Sequence, residues 1–153
     1  MASEKRSITV PKEKAVFWMD KNGVWHNEHG KFEHPKIIRH FNRSIRKDDL
    51  GYYLSQETDE FEEKVYFSHE DAVLFVVNFS LEEELRLTLN TAKVMTLDPT
   101  QLFTKNDGLY LQTPEHCIKF SQHALVKLSR YMEETDGKFC LRLNQATYAI
   151  PEQ

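Results

Sequence analysis

Four of the seven histidines, His26, His29, His34 and His40, crowd into one short stretch of the chain. Neutral imidazoles bind zinc well, and three that converge around an open position would suit a catalytic ion. The spacing argues otherwise. The four fall across a strand, a turn, a helix entry and a helix flank. No HExxH is present, and neither Glu28 nor Glu33 stands where that motif would need it. Surface or capping roles therefore outweigh a metal site, and His26, His29 and His34 are kept only as weak metal candidates. No motif calls for a cofactor: there is no Walker A loop and no GxGxxG.

Three other constellations could carry chemistry. The first is a basic stripe, Lys36, Arg39, Arg43 and Lys47. Arg forks match phosphate oxygens in pairs, and the nearby Trp25, Tyr52 and Tyr53 could stack on a base. A solvated helix face that offsets neighbouring acids is the plainer reading. The second is Glu70-Asp71, two adjacent carboxylates whose simpler explanation is a turn, where Asp is favoured. The third is the cysteine pair. Cys117 and Cys140 lie in no CxxC, so buried inert thiols are expected. His116 and Cys117 are neighbours on a strand and point to opposite faces, which disfavours a Cys–His nucleophile.

Composition bounds what must position these groups. At 153 residues, the chain fits one domain, or two small halves sharing a core. Its formal charge of −4 disfavours a general nucleic-acid binder. MASEKRSITV lacks the apolar core of a secretory signal, and no apolar run is long enough to span a bilayer. The cytoplasm is the expected compartment, with no membrane partner. Charge is also segregated. Lys31 to Lys47 holds six Lys/Arg against one Glu, and Asp48 to Glu84 holds twelve Asp/Glu against one Lys. Such a split suits internal pairing, self-association or an anion site.

Along the chain, residues 1–14 read as a loose leader. Ala15 to Met19 is a strand by composition. Asp20-Lys21-Asn22-Gly23 supplies a hairpin turn, and Val24 to Asn27 returns. Pro35 opens a helix to Lys47 whose core face is Ile37, Ile38, Phe41 and Ile45. Gly51 ends that passage. Strands follow at Tyr52 to Gln56 and Lys64 to Ser68, with Glu57 to Glu63 as an acidic loop. Ala72 to Phe79 is apolar enough to be a central strand. Leu85, Leu87 and Leu89 alternate with polar residues, so that strand buries one face, and Lys93 to Leu97 pairs beside it. Asp98-Pro99 caps a brief helical turn. Asn106-Asp107-Gly108 repeats the hairpin chemistry before a strand at Leu109 to Gln112. Ser121 caps a second helix with Ala124, Leu125, Leu128, Tyr131 and Met132 inward, ended by Gly137. A final hairpin turns at Asn144-Gln145.

The two halves align in element order: Asn22-Gly23 with Asp107-Gly108, Trp25 with Tyr110, and one helix face with the other. The fold class is therefore α+β, as two tandem ββαββ-like units with mostly antiparallel sheets and one main helix each around a shared core. They span 15–80 and 81–153 and together could form one compact domain. One helix cannot cover both faces of such a unit's sheet, so the two units would pack together and leave a binding groove between them.

Gly23-Val24-Trp25-His26, the Ile37–Arg46 helix, Gly51-Tyr52-Tyr53, Glu70-Asp71-Ala72 and Asp107-Gly108-Leu109-Tyr110 carry a resemblance. The chain resembles the bacterial domain-of-unknown-function family 1285 and the related family 4505, which also has eukaryotic members. The similarity covers nearly everything from Ala15 onward through short motifs. It implies a two-unit α+β fold with repeated strand–helix–strand motifs and a role in signalling, and it brings no catalytic residues. Where family 1285 tends to carry Thr-Pro-Val-Glu-Lys, this chain has Ser55-Gln56-Glu57-Thr58-Asp59.

The function expected from the sequence is a non-enzymatic module in bacterial signalling or regulation. It would bind a small anionic molecule or an acidic protein through Trp25, Arg39, Arg43, Tyr53, Glu70 and Asp71. The alternative is a small enzyme acting on a phosphorylated or nucleotide-like substrate, with His26 or His40 as base beside Glu70 or Asp71. A homodimer, basic helix against acidic loop, is the third arrangement.

Overall fold

The computed structural model describes residues 6–153, and the first five residues of the expected leader lie outside that range. The chain is mixed α+β, dominated by strands, with two α-helices among the described residues. It divides into two compact units, the first ending at Val73 and the second running from Leu74 to Gln153. The strand expected to close the first unit thus opens the second.

In the first unit the strands are β1 (Arg6–Val10), β2 (Phe17–Met19), β3 (Trp25–Asn27) and β4 (Gly30–Lys31). Helix α1 (Pro35–Arg43) follows, then β5 (Ile45–Asp48), β6 (Gly51–Glu57), β7 (Phe61–Tyr66) and β8 (Ser68–His69). They form two four-stranded sheets, ordered β1-β7-β6-β5 and β4-β3-β2-β8. The chain crosses from one to the other at Phe67, which is 2 % exposed. The leader is not loose from Arg6 onward, because β1 pairs in parallel with β7, Ile8 opposite Glu63 and Val10 opposite Val65. The backbone of β1 thereby covers what would otherwise be the open edge at β7.

Helix α1 is shorter than the periodicity predicts. It ends at Arg43, where the Ser44 hydroxyl donates to the His40 carbonyl at 2.7 Å and Arg46 Nη1 donates to the Arg43 carbonyl at 2.9 Å. Ile45, spaced as the next helical core position, is instead the first residue of β5, buried opposite Leu54. Gly51 correspondingly ends no helix. It begins β6 at φ +122°, across from Asp48 in a tight hairpin. The inward face of α1 is Ile38, Phe41 and Asn42, while Ile37 is 46 % exposed. Phe41 packs edge-on against Phe17, Trp25 and Phe32, with centroids 5.0–5.3 Å apart. Such offset geometry is favoured by the ring quadrupoles and adds to the apolar area removed from water. The acidic stretch from Glu57 to Glu63 is not a loop. Glu57, Glu62 and Glu63 are strand residues, and only Thr58, Asp59 and Glu60 form the turn.

The second unit holds β9 (Leu74–Leu81), β10 (Leu85–Leu89), β11 (Val94–Thr96), β12 (Leu102–Lys105), β13 (Gly108–Gln112) and β14 (Cys117–Phe120). Helix α2 (Gln122–Leu128), β15 (Met132–Thr135), β16 (Lys138–Leu143) and β17 (Ala146–Ile150) complete it. The six-stranded sheet runs β11-β10-β9-β14-β13-β12, so β9 is interior, as its apolar run demands. Leu85, Leu87 and Leu89 are all at most 6 % exposed, the one-sided burial their alternation predicts. Ser121 caps α2 by accepting from Ala124 N at 3.2 Å, and Ala124 and Leu128 are fully buried. The helix stops before Tyr131, and Met132 starts β15. Gly137 is therefore a hairpin residue: Asp136 and Gly137, at φ +54° and +77°, join β15 to β16. Asn106-Asp107 and Asn144-Gln145 make similar turns with both φ positive, the twist that two-residue hairpins favour.

The internal repeat is present in the pairing. β2-β3-β4, α1 and the β5-β6-β7 meander match β12-β13-β14, α2 and β15-β16-β17 in order and antiparallel partnership. Each copy carries one more strand on either side of its helix than a ββαββ unit.

Candidate functional site

The β2–β3 hairpin decides which side chains of the first unit are offered to a ligand. Its register sets Trp25 opposite Met19 and His26 opposite Trp18. Side chains of successive strand residues alternate, so the two pairs lie on opposite faces. Met19 and Trp25 are 0 % and 1 % exposed and belong to the core. Trp25, expected to touch a ligand, instead donates its indole N–H to Asn42 Oδ1 at 2.8 Å inside the unit. Trp18, which composition alone assigns to the core, is 37 % exposed.

The outer face carries a row that crosses all four strands of this sheet. Lys31 on β4 pairs with His26 on β3, His26 with Trp18 on β2, and Trp18 with Ser68 on β8. With strands about 4.8 Å apart, the row spans about 14 Å. The Trp18 and His26 rings are stacked, 5.7 Å apart and 8° from parallel. His26 Nε2 lies 2.7 Å from Asp20 Oδ2. Burial pushes the Asp20 carboxyl upward, but hydrogen bonds from His26 and from the Val24 and Asn22 amides outweigh it, leaving its pKa below the usual carboxylate range. Asp20 is thus an anion at neutral pH and can only accept, so His26 donates from Nε2.

Glu70 and Asp71 do other work. Glu70 Oε2 accepts from the Lys21 amide at 3.0 Å, and the Glu70 amide donates to Met19 O at 3.0 Å, so Glu70 ties the hairpin turn to the end of β8. The Asp71 carbonyl meets His69 Nδ1 at 2.6 Å. The carboxylate bonded to His26 is Asp20, not either of these. His29 and His34 are exposed and apart from the row, and His40 is exposed on α1. Among the described residues, no three His, Cys, Asp or Glu side chains are grouped to hold a metal ion.

Tyr53 sits elsewhere, on the polar face of the β1-β7-β6-β5 sheet. Its ring is 5.4 Å from that of Tyr66, and the Lys64 ammonium lies 4.8 Å over it. Tyr66 donates its hydroxyl to Asp48 Oδ2 at 2.5 Å, with Lys64 Nζ 3.4 Å from the same oxygen. The Tyr66 hydrogen bond holds Asp48 below its ordinary range against the upward push of burial, and the Asp48 bond raises the Tyr66 pKa to about 12. Arg39 and Arg43 are exposed on α1. The six expected contacts are therefore dispersed over a core, a helix, a sheet face and a turn.

Two features escaped the sequence. One is Trp18, whose exposure follows from hairpin register. The other is a groove of about 880 Å³ in the second unit, whose lining includes Leu125, Met132 and Phe139 together with Lys105, Asp107 and Glu134. No histidine or cysteine lines it. The cysteines are not buried as expected: Cys117 is exposed on β14 and Cys140 half-buried on β16. Among the described residues, no helix is long and apolar enough to cross a membrane.

No family model and no curated protein matches the sequence. Solved structures do share the fold. A DUF1285 family protein from Silicibacter pomeroyi DSS-3 superposes with a TM-score of 0.65 at 14 % identity, covering 95 % of this chain and 84 % of that one. A DUF1285 family protein from Shewanella baltica OS155 gives 0.55 at 19 % identity, covering 78 % and 94 %. The resemblance to family 1285 read from the sequence is thus borne out as a likeness of fold.

Proposed function

We propose that this chain is a non-enzymatic binding module that takes a small planar anion on the outer face of the β4-β3-β2-β8 sheet, in a signalling or regulatory role. The observation that carries this is the Lys31–His26–Trp18–Ser68 row. The indole supplies a stacking surface, the Lys31 ammonium a charge for a carboxylate or phosphate, and Ser68 a hydroxyl. Asp20 fixes His26 against the indole and so holds the platform in one orientation. The ring count and length of the row suit a nucleotide or an aromatic acid.

A second reading, an acid–base enzyme, rests on the 2.7 Å His26–Asp20 contact. A carboxylate that orients a histidine is half of a base. The remaining half is missing from the row, because Ser68 lies two strand spacings from His26, roughly 9–10 Å at the backbone, beyond hydrogen-bond reach. Binding without turnover is the better-supported reading.

A thermal-shift series with adenosine monophosphate and naphthalene-2-sulfonate tests it, since a ligand of the native state raises the melting point. The wild type responds, while Trp18→Ala and Lys31→Ala do not. Equal responses in all three would place binding elsewhere and end the proposal.

A further inference from the structure

Two surfaces of the first unit carry opposite charge. On α1, Lys36, Arg39 and Arg43 share the outward arc with His40, at about 100° per residue, and the helix contains no Asp or Glu. None of these three cations has an ion pair or side-chain hydrogen bond among the described residues. At the β6–β7 hairpin, the side chains of Asp59, Glu60, Glu62 and Glu63 likewise have no ion pair or hydrogen bond among the described residues, with Glu62 and Glu63 on opposite faces of β7.

The C-terminal end of α1 and the acidic hairpin lie at the same end of the β1-β7-β6-β5 sheet. The Ser55 amide donates to Ser44 O at 2.9 Å, one residue beyond the end of α1, and Glu57 is two residues further along β6. We infer that the partner of this helix is a second copy of the chain, with α1 of each copy set against the acidic hairpin of the other. In a twofold assembly, a contact between patch and counter-patch is made twice. Having both patches at one end lets the two contacts form together. Lys36 to Arg43 spans about 10 Å along the helix, close to the roughly 10 Å of extended chain from Glu60 in the turn to Glu63 on β7. Ile37, 46 % exposed beside the cations, adds an apolar contact. A long polyanion fits less well, because the hairpin next to the helix would repel it and the whole chain carries −4.

Sedimentation velocity on the full chain tests this, with the double variants Arg39→Glu/Arg43→Glu and Glu60→Lys/Glu62→Lys, each checked for wild-type circular dichroism. The wild type is a dimer at low salt and a monomer near 1 M, where charges are screened beyond about 3 Å. Each variant alone is a monomer, and the equimolar mixture of the two regains the dimer. A wild type monomeric at low salt, a dimer that survives in either variant, or a mixture that stays monomeric each overturns the inference. These substitutions leave the Trp18 row untouched, so ligand binding there stands or falls separately.

Discussion

Trp18 and Trp25 stand on adjacent strands of one hairpin and face opposite ways. Trp18 pairs with His26 and Trp25 with Met19, which leaves the first 37 % exposed and the second 1 %. The consequences for stability differ sharply. Trp25→Ala removes a fully buried ring from the Phe17–Phe41–Phe67 cluster and should cost about 3–5 kcal/mol. Trp18→Phe alters a surface side chain and should stay within about 0.5 kcal/mol. Urea denaturation of the two variants checks the ordering.

The Trp25 indole N–H is satisfied by Asn42 on α1, which ties the helix to the hairpin. Replacing Asn42 with Leu leaves that buried donor unpaired, at a cost of about 1–3 kcal/mol. Asn42→Asp retains an acceptor and should lose less. The same denaturation assay separates them.

The Tyr66–Asp48 bond makes stability depend on pH at both extremes. The Asp48 pKa lies below its ordinary value of 3.8, so its contribution is present above that value and is lost as pH falls through the lower, folded one. The Tyr66 pKa is raised from 10.0 to about 12, so its contribution is present below pH 10 and is lost as pH rises toward 12. Melting curves of wild type and Tyr66→Phe should therefore differ most at neutral pH and converge in strong acid. A gap unchanged at low pH would show that the bond is not responsible.

Helix α2 is short and depends on its cap. Ser121→Ala removes the acceptor for the Ala124 amide and should destabilise by about 1 kcal/mol, whereas Ser121→Asp should retain most of the stability. Hydrogen exchange at Ala124 provides a local readout.

Much of the fold was legible because its signals are local. The Asn22-Gly23 hairpin, the alternating Leu85, Leu87 and Leu89, the Asp98 and Ser121 caps and the repeated element order all follow from turn chemistry and periodicity. Helix ends were less legible. Ile45 fits both a helix face and a strand start, and only pairing with Leu54 decides between them. Met132 is ambiguous in the same way until it pairs with Leu141. The site was least legible. Choosing between Trp18 and Trp25 requires knowing which residues face each other across the turn, because a one-residue slip exchanges the faces. The phase of Phe17 and Met19, both apolar around Trp18, was the available clue. Pairing His26 with Asp20 was hidden for the same reason, since the carboxylate sits in the turn rather than in the conspicuous Glu70-Asp71 pair.

The most direct test of the outer-face site is NMR titration of the two indole N–H signals. Adenosine monophosphate or naphthalene-2-sulfonate should move the Trp18 signal in a saturable way, leave the core Trp25 signal in place, and lose its effect in Lys31→Ala. A Trp18 signal that stays still while either probe binds would contradict the account.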